Sequence, residues 1–279
     1  MEEYIDKARN IYIKAKKIEI GNGVSFGSDV KVAVNGIFQI GDFSRLGSDC
    51  EIAGNNIKIG RHLFNSSGLR VGGGGREYPS ADLTIGDRCT IHNNFLNVCE
   101  PIVIDDDVGL SPETAILTHG YWQSVLDGYP ASFSGVHIGS GVIIGYRSLV
   151  MMGVSIAENC VIGGQSVVTK SLRNTGIYGG SPARFINEIV PLAQSEKIVK
   201  AQEILKAYEP LAFSRGIELA GNVRLEYPLM YVKDFQINLE TFDYSGVEDS
   251  DTDDLRDFLR KWGIRIYTER GFVAKPRIL

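Results

Sequence analysis

"IGSGVIIGYRSLVMMGVSIAENCVIGGQSVV", Ile138 to Val168, sets an aliphatic side chain at every sixth position: Ile138, Ile144, Val150, Ile156, Ile162 and Val168. Four residues after each of the first five stands Val142, Ser148, Val154, Cys160 or Ser166, and glycine follows the aliphatic at 139, 145 and 163. Six is a multiple of the strand period of two and far from a multiple of 3.6. On extended backbone the large and the small residue therefore face the same way, while a helix would scatter them. Each unit ends where Gly, Asn or Asp can take a positive φ. The same unit opens at Ile20, Phe26 and Val32, at Ile40, Leu46 and Ile52, at Ile59, Ile85 and Ile91, and at Ile104, Leu110 and Ile116. A regular internal repeat of this kind predicts a solenoid: a prism walled by short parallel strands, coil stacked on coil.

Three stretches break the beat. "VAVNGIFQI" (32–40) adds two residues, a bulge at a corner. "RVGGGGREYPSAD" (70–82) is a glycine run without an apolar beat; it lacks GxxxxGK[ST], so a flexible excursion is expected and not a phosphate loop. "AILTHGYWQSVLDGYPASFSGVHIG" (115–139) loses register over 118–137 with His119 at its edge. A solenoid wall is a flat ladder, so a pocket requires something that projects from it, and this loop is the place for one.

Composition bounds the remaining choices. The chain has 279 residues, 43% hydrophobic and 23% charged, with a net charge of −5 and no basic run, which disfavours a nucleic-acid or anionic-membrane surface. No segment has the apolar run of a signal peptide or membrane span, so a cytoplasmic location is expected. Of four cysteines, Cys50, Cys89 and Cys160 fall on small inward positions and Cys99 does not; none forms a CxxC pair, and buried thiols are expected. Beyond Pro191 the beat vanishes. Ile198, Ala201, Ile204, Leu205 and Tyr208 have helical spacing, with Gly216 as a stop; "IELAGNVRLEYPLMYV" has strand character, "VEDSDTDD" caps a second helix, and "IRIYTE" suggests a strand. The expected organisation is a helical lead-in over 1–17, the solenoid over 18–187, and an α/β extension over 188–279.

The hexapeptide pattern resembles the left-handed parallel β-helix of the hexapeptide acyltransferases, and the handedness is implied by that resemblance alone, against the usual rule for parallel connections. "VIGGQSVVTKSLRNTGIYGGSPARFI" (161–186) and "IDDDVGLSPETAILTHGYW" (104–122) are similar to the galactoside and sugar O-acetyltransferases, closely over residues 80–187 and only as generic coils over 18–80. The resemblance implies acetyl transfer from acetyl-CoA to a saccharide hydroxyl, with no metal, His119 as general base, and a homotrimer with sites between subunits. It implies an oxyanion donor near Gly145, acceptor contacts from Asn94 and Asp106, and a sugar-stacking face from Tyr121 and Trp122. Asn94 and Asp106 are equally readable as turn residues. The coenzyme groove would use Gly145, Tyr146, Gly164, Ser166, Lys170 and Arg184. Two positions depart from the pattern: Ile143 replaces a tryptophan found in many relatives, and Tyr146 replaces a small residue.

Other readings stay open. An N-acetyltransferase acting on a nucleotide-linked amino sugar shares the solenoid and the histidine. A γ-type carbonic anhydrase would need HxxxxH, but Ser124 stands five residues after His119. A non-enzymatic assembly solenoid is the third class. His137 is a candidate second site residue, and His62 and His92 fall at surface turns.

Overall fold

The computed structural model describes residues 1–219 and 223–277 in two compact units, Met1–Ile189 and Val190–Leu279. In the first unit the chain passes through three parallel faces in rotation. The first face stacks Ile11–Ala15, Val30–Val34, Cys50–Gly54, Arg70–Gly72, Phe95–Asn97, Ala115–Ile116, Leu149–Val150 and Val167–Val168. The second holds Ile57–Ile59, Leu83–Ile85, Ile102–Ile104 and Val136–Ile138 among its strands, and the third Thr90–Ile91, Gly109–Leu110, Ile143–Ile144 and Val161–Ile162. The class is the left-handed parallel β-helix.

The register follows from the six-residue beat. Ile104 stacks on Ile138 and Ile138 on Ile156; Leu110 stacks on Ile144 and Ile144 on Ile162; Ile116 stacks on Val150 and Val150 on Val168. All nine are buried. Each such side chain contributes about 1.5–3 kcal/mol by leaving water. The small residues are inward as well: Thr114 Oγ1 donates to Gly145 O (3.2 Å) and Ser148 Oγ to Gly163 O (3.1 Å), tying each corner to the next coil.

Residues 1–17 are not helical. Glu2–Asp6 and Ile11–Ala15 form an antiparallel hairpin, because "IYIKA" alternates buried Ile11, Ile13 and Ala15 with exposed Tyr12 and Lys14, the period of a strand. Asp6 accepts the amides of Ala8 and Arg9 at the turn. Within 70–82, Arg70–Gly72 is still a strand of the first face, so the excursion spans 73–82. It is pinned: Asn55 Nδ2 donates to Pro79 O (2.8 Å), Asn56 N to Asp82 Oδ1 (2.9 Å) and Ser80 Oγ to Cys99 O (3.0 Å). The loop of 118–137 likewise ends early, since Val136–Ile138 rejoins the second face.

In the second unit the helix Gln194–Ser214 buries Ala201, Ile204, Tyr208 and Ala212. A four-stranded antiparallel sheet follows, with strands Val223–Glu226, Leu229–Val232, Phe235–Asn238 and Tyr244–Ser245. Asp249 caps the helix Ser250–Leu259 by accepting the Asp251 and Thr252 amides. "IRIYTE" forms no strand. The buried Arg256 guanidinium donates to Ile266 O (3.1 Å) within this stretch and to Arg270 O (2.8 Å) just after it, taking a carbonyl that a ladder would use.

All four thiols are free and buried, Cys99 included. Burial pushes the Cys89 thiol up to about 12, so it stays protonated where an ordinary cysteine ionises. At pH 8 a thiol reagent should label none of the four in native protein over minutes and all four in denaturant. Rapid native labelling of Cys89 would contradict the inward ladder.

Candidate active site

His119 lies at the corner between the first and second faces. There the chain leaves the prism as an antiparallel ribbon, His119–Gly120 against Ser132–Phe133, which closes an arm through a short turn at Val125–Asp127. The imidazole is half-buried. It stacks on Phe133 (centroids 6.1 Å apart, 12° between planes) and tilts against Tyr121 (5.5 Å), so two arm rings hold its plane.

One hydrogen bond decides its chemistry. His119 Nδ1 lies 2.6 Å from Asn97 Oδ1. The Asn97 amide nitrogen is committed elsewhere, donating to Gly72 O (3.0 Å) and Gly74 O (3.3 Å), which assigns the oxygen to the histidine side. That oxygen can only accept, so Nδ1 carries the proton and Nε2 of the neutral ring keeps its lone pair. A neutral imidazole with a fixed Nε2 lone pair can take a proton from a hydroxyl. Thr118 Oγ1, donating to Asn97 O (2.6 Å), locks the same corner.

Nε2 faces the glycine run. A Cβ built on Gly74 would lie 3.2 Å from Nε2, and one on Gly73, whose φ is +89°, would lie 2.6 Å from Asn97 Nδ2. The four glycines 72–75 thus let the excursion close over Asn97 and reach the histidine without a side chain in between. The expected free excursion is a wall of the site. Asn97 and Gly74 were not singled out from the sequence. A polar residue following Ala33, Ala53 and Gly72 in one outward column of the first face is the signal that marks Asn97.

The other expected residues separate into those available to a ligand and those used by the fold. Asn94 is buried; its Oδ1 accepts from His92 N (2.7 Å) and its Nδ2 donates to Ser111 O (2.8 Å) and Thr114 O (3.2 Å), so an acceptor contact from it is not supported. Asp106 belongs to a periodic column. Its Oδ1 caps the Asp87 amide (2.8 Å) as Asp87 caps Arg61 (2.8 Å) and Asp42 caps Asn22 (2.7 Å), and it stands at a different corner from His119. Tyr121 lies on the His119 ring, whereas Trp122 is 89% exposed on the arm.

The proposed coenzyme residues cluster at the corner between the third and first faces and in the closing coil. The Gly145 amide donates to Ile162 O (2.8 Å), so it is no oxyanion donor; the next amide, Tyr146 N–H, makes no hydrogen bond among the described residues. A Cβ on Gly145 would sit 2.5 Å from Gly164 N, so these two glycines serve coil stacking. Ser166 is buried, donating from Oγ to Gly163 O (2.6 Å) and accepting from Gly180 N (3.1 Å), and does not face a groove. The Tyr146 hydroxyl donates to Glu113 (3.0 Å), while Lys170 and Arg184 are exposed. His137 Nε2 lies 2.9 Å from Asp105 on the second face; His62 stacks on Phe43 at a turn, and His92 is half-buried against Ser66 Oγ (2.8 Å). Burial lowers the His92 pKa.

No family model matches the chain. It is 30% identical over 178 residues to the chloramphenicol acetyltransferase of Klebsiella aerogenes, covering 58% of this chain and 84% of that one. It is 30% identical over 139 residues to the galactoside O-acetyltransferase of Escherichia coli (strain K12), covering 49% of this chain and 63% of that protein, less than two thirds of its length. A hexapeptide-repeat acetyltransferase from Vibrio cholerae, solved with acetyl-CoA, aligns at TM-score 0.36 and 26% identity over 39% of this chain and 61% of that one.

In ¹⁵N spectra of the neutral form, His119 should hold its proton on Nδ1. Asn97→Ala should release it to a mixture of tautomers, and an unchanged Nδ1–H signal in that variant would refute the assignment.

Proposed function

The chain belongs to the hexapeptide-repeat acetyltransferases, and from that premise we propose that it moves an acetyl group from acetyl-CoA to a saccharide hydroxyl, with His119 as general base. The observation that carries this reading is the Asn97–His119 pair, which keeps a basic Nε2 open to a wall of backbone. A hydroxyl is a poor nucleophile at neutral pH. Nε2 takes its proton as the oxygen attacks the thioester carbonyl, and the tetrahedral intermediate expels the coenzyme thiolate. The imidazolium returns the proton to that sulfur, leaving an ester and free coenzyme A. The thioester is already activated, so no covalent enzyme intermediate is needed. An amide such as Tyr146 N–H supplies the oxyanion contact.

The same reading requires a second copy. His119 and the Tyr146 corner lie at opposite ends of the first face, separated by a strand and its turns, on the order of 15 Å. Contact between donor and base within one reaction therefore needs the corner of a neighbouring chain, in a homotrimer. The arm presents Tyr121, Trp122, Leu126, Tyr129 and Phe133 to solvent, an apolar surface suited to lie against such a neighbour.

His119→Ala should lower kcat on the order of 10²–10⁴-fold while leaving coenzyme A binding in place. Turnover near the wild-type value would remove the histidine from the mechanism. Gly74→Ala should slow transfer roughly tenfold by crowding Nε2, with the Nδ1–H tautomer retained.

A further inference from the structure

A groove of about 740 Å³ runs along the outer side of the first face in the early coils, entirely within residues 1–95. One column of its floor stacks Tyr12, Lys31, Glu51, Arg70 and Phe95 in register. The adjacent column stacks Lys14, Ala33 and Ala53, so the floor between the charged side chains is methyl groups. Arg76 and Glu77, on the pinned excursion, overhang one side. From Tyr12 to Phe95 the column crosses four coil steps, roughly 19 Å at the usual strand spacing. Coil stacking needs none of these side chains in an outward position.

The groove ends near the His119 corner. Phe95 and Gly73 line its upper end. A Cβ on Gly73 would touch the Phe95 ring at 3.2 Å and Asn97 Nδ2 at 2.6 Å, and the next residue, Gly74, meets His119 Nε2. The backbone that borders the groove at Gly73 is thus continuous with the backbone that meets His119 Nε2 at Gly74.

The lining specifies the occupant. Lys14, Lys31, Arg70 and Arg76 face two carboxylates, Glu51 and Glu77, in a protein whose net charge is −5. Lys14 pairs with Glu3 (3.1 Å) and Arg76 with Glu77 (3.3 Å), whereas Lys31 and Arg70 have no ion-pair partner among the described residues. Tyr12 and Phe95 are 44% and 38% exposed, leaving an aromatic face at each end for the apolar side of a sugar ring. We propose that this groove binds an extended saccharide carrying carboxylates and delivers one of its hydroxyls to His119. The proposal rests on the acetyl-transfer reading for its chemistry but not for its binding. It places the acceptor in the coils before His119, apart from the later coils expected to hold coenzyme A.

Calorimetric titration of the full chain tests it, with tetragalacturonate as the anionic probe, maltotetraose as the neutral one, and coenzyme A in parallel. Tetragalacturonate should bind at least tenfold more tightly than maltotetraose. Lys31→Ala with Arg70→Ala should weaken it roughly tenfold. Glu51→Gln should tighten it, a gain that a damaged fold would not produce. Ala53→Phe, which keeps every charge and fills the floor, should abolish binding. Saturating coenzyme A should not displace the tetrasaccharide. Equal affinity for the two saccharides, insensitivity to these substitutions, or displacement by coenzyme A would each overturn the proposal. Coenzyme A binding without tetragalacturonate binding would overturn the groove and leave acetyl transfer standing; tetragalacturonate binding without coenzyme A binding would do the reverse.

Discussion

Stacking identical inward positions leaves a prism with full walls and little freedom. Once Ile104, Ile138 and Ile156 share one column, every outward residue on that face is also in a column, and each strand's amides and carbonyls are taken by the coils on either side. Extra chain can enter only at a corner, where the backbone already turns. Two long insertions, 73–82 and 118–135, leave at the same corner, two coils apart. Coils advance by about 4.8 Å, so a ten-residue excursion from the lower coil reaches the root of the arm above it. The position of the His119 corner is therefore a consequence of where the ladder tolerates additions.

At that corner a single amide joins the insertions. Asn97 donates to carbonyls of the glycine run and accepts from the histidine of the arm. A buried amide without partners would be costly, and all its partners here come from segments outside its own strand. The amide that orients the His119 ring thus also holds the excursion down. The geometry of the proposed base and the local fold are one arrangement.

Periodicity explains why family-based assignment of single residues is uneven. Asp106 and Ser166 stand where the acetyltransferase pattern places ligands, yet those same positions recur in other coils as corner caps. Asp42 and Asp87 make the bond that Asp106 makes, and Thr114 and Ser148 reach a glycine carbonyl as Ser166 does. In a repeat, a residue matching a functional motif also matches the lattice. His119 escapes this ambiguity because it lies outside the beat.

The six-residue spacing was sufficient to determine the solenoid, its inward side chains, the burial of Cys50, Cys89 and Cys160 and the location of the break, because each depends only on positions close in sequence. The appendix helices were legible for the same reason: helical spacing over Ile198–Tyr208 and the cap at Asp249 are local. The hairpin over 1–17 was also written in the alternation of "IYIKA", but so short a segment is decided by its pairing with the first coil. What only the tertiary structure decided were contacts between distant segments: Asn97 against His119, Gly74 against Nε2, Arg256 against the carbonyls of Ile266 and Arg270, and a charged column assembled from five separate coils. Side chains 22 and 45 residues apart become neighbours only when the coils stack, and no pattern within one repeat unit records which columns an insertion will cover.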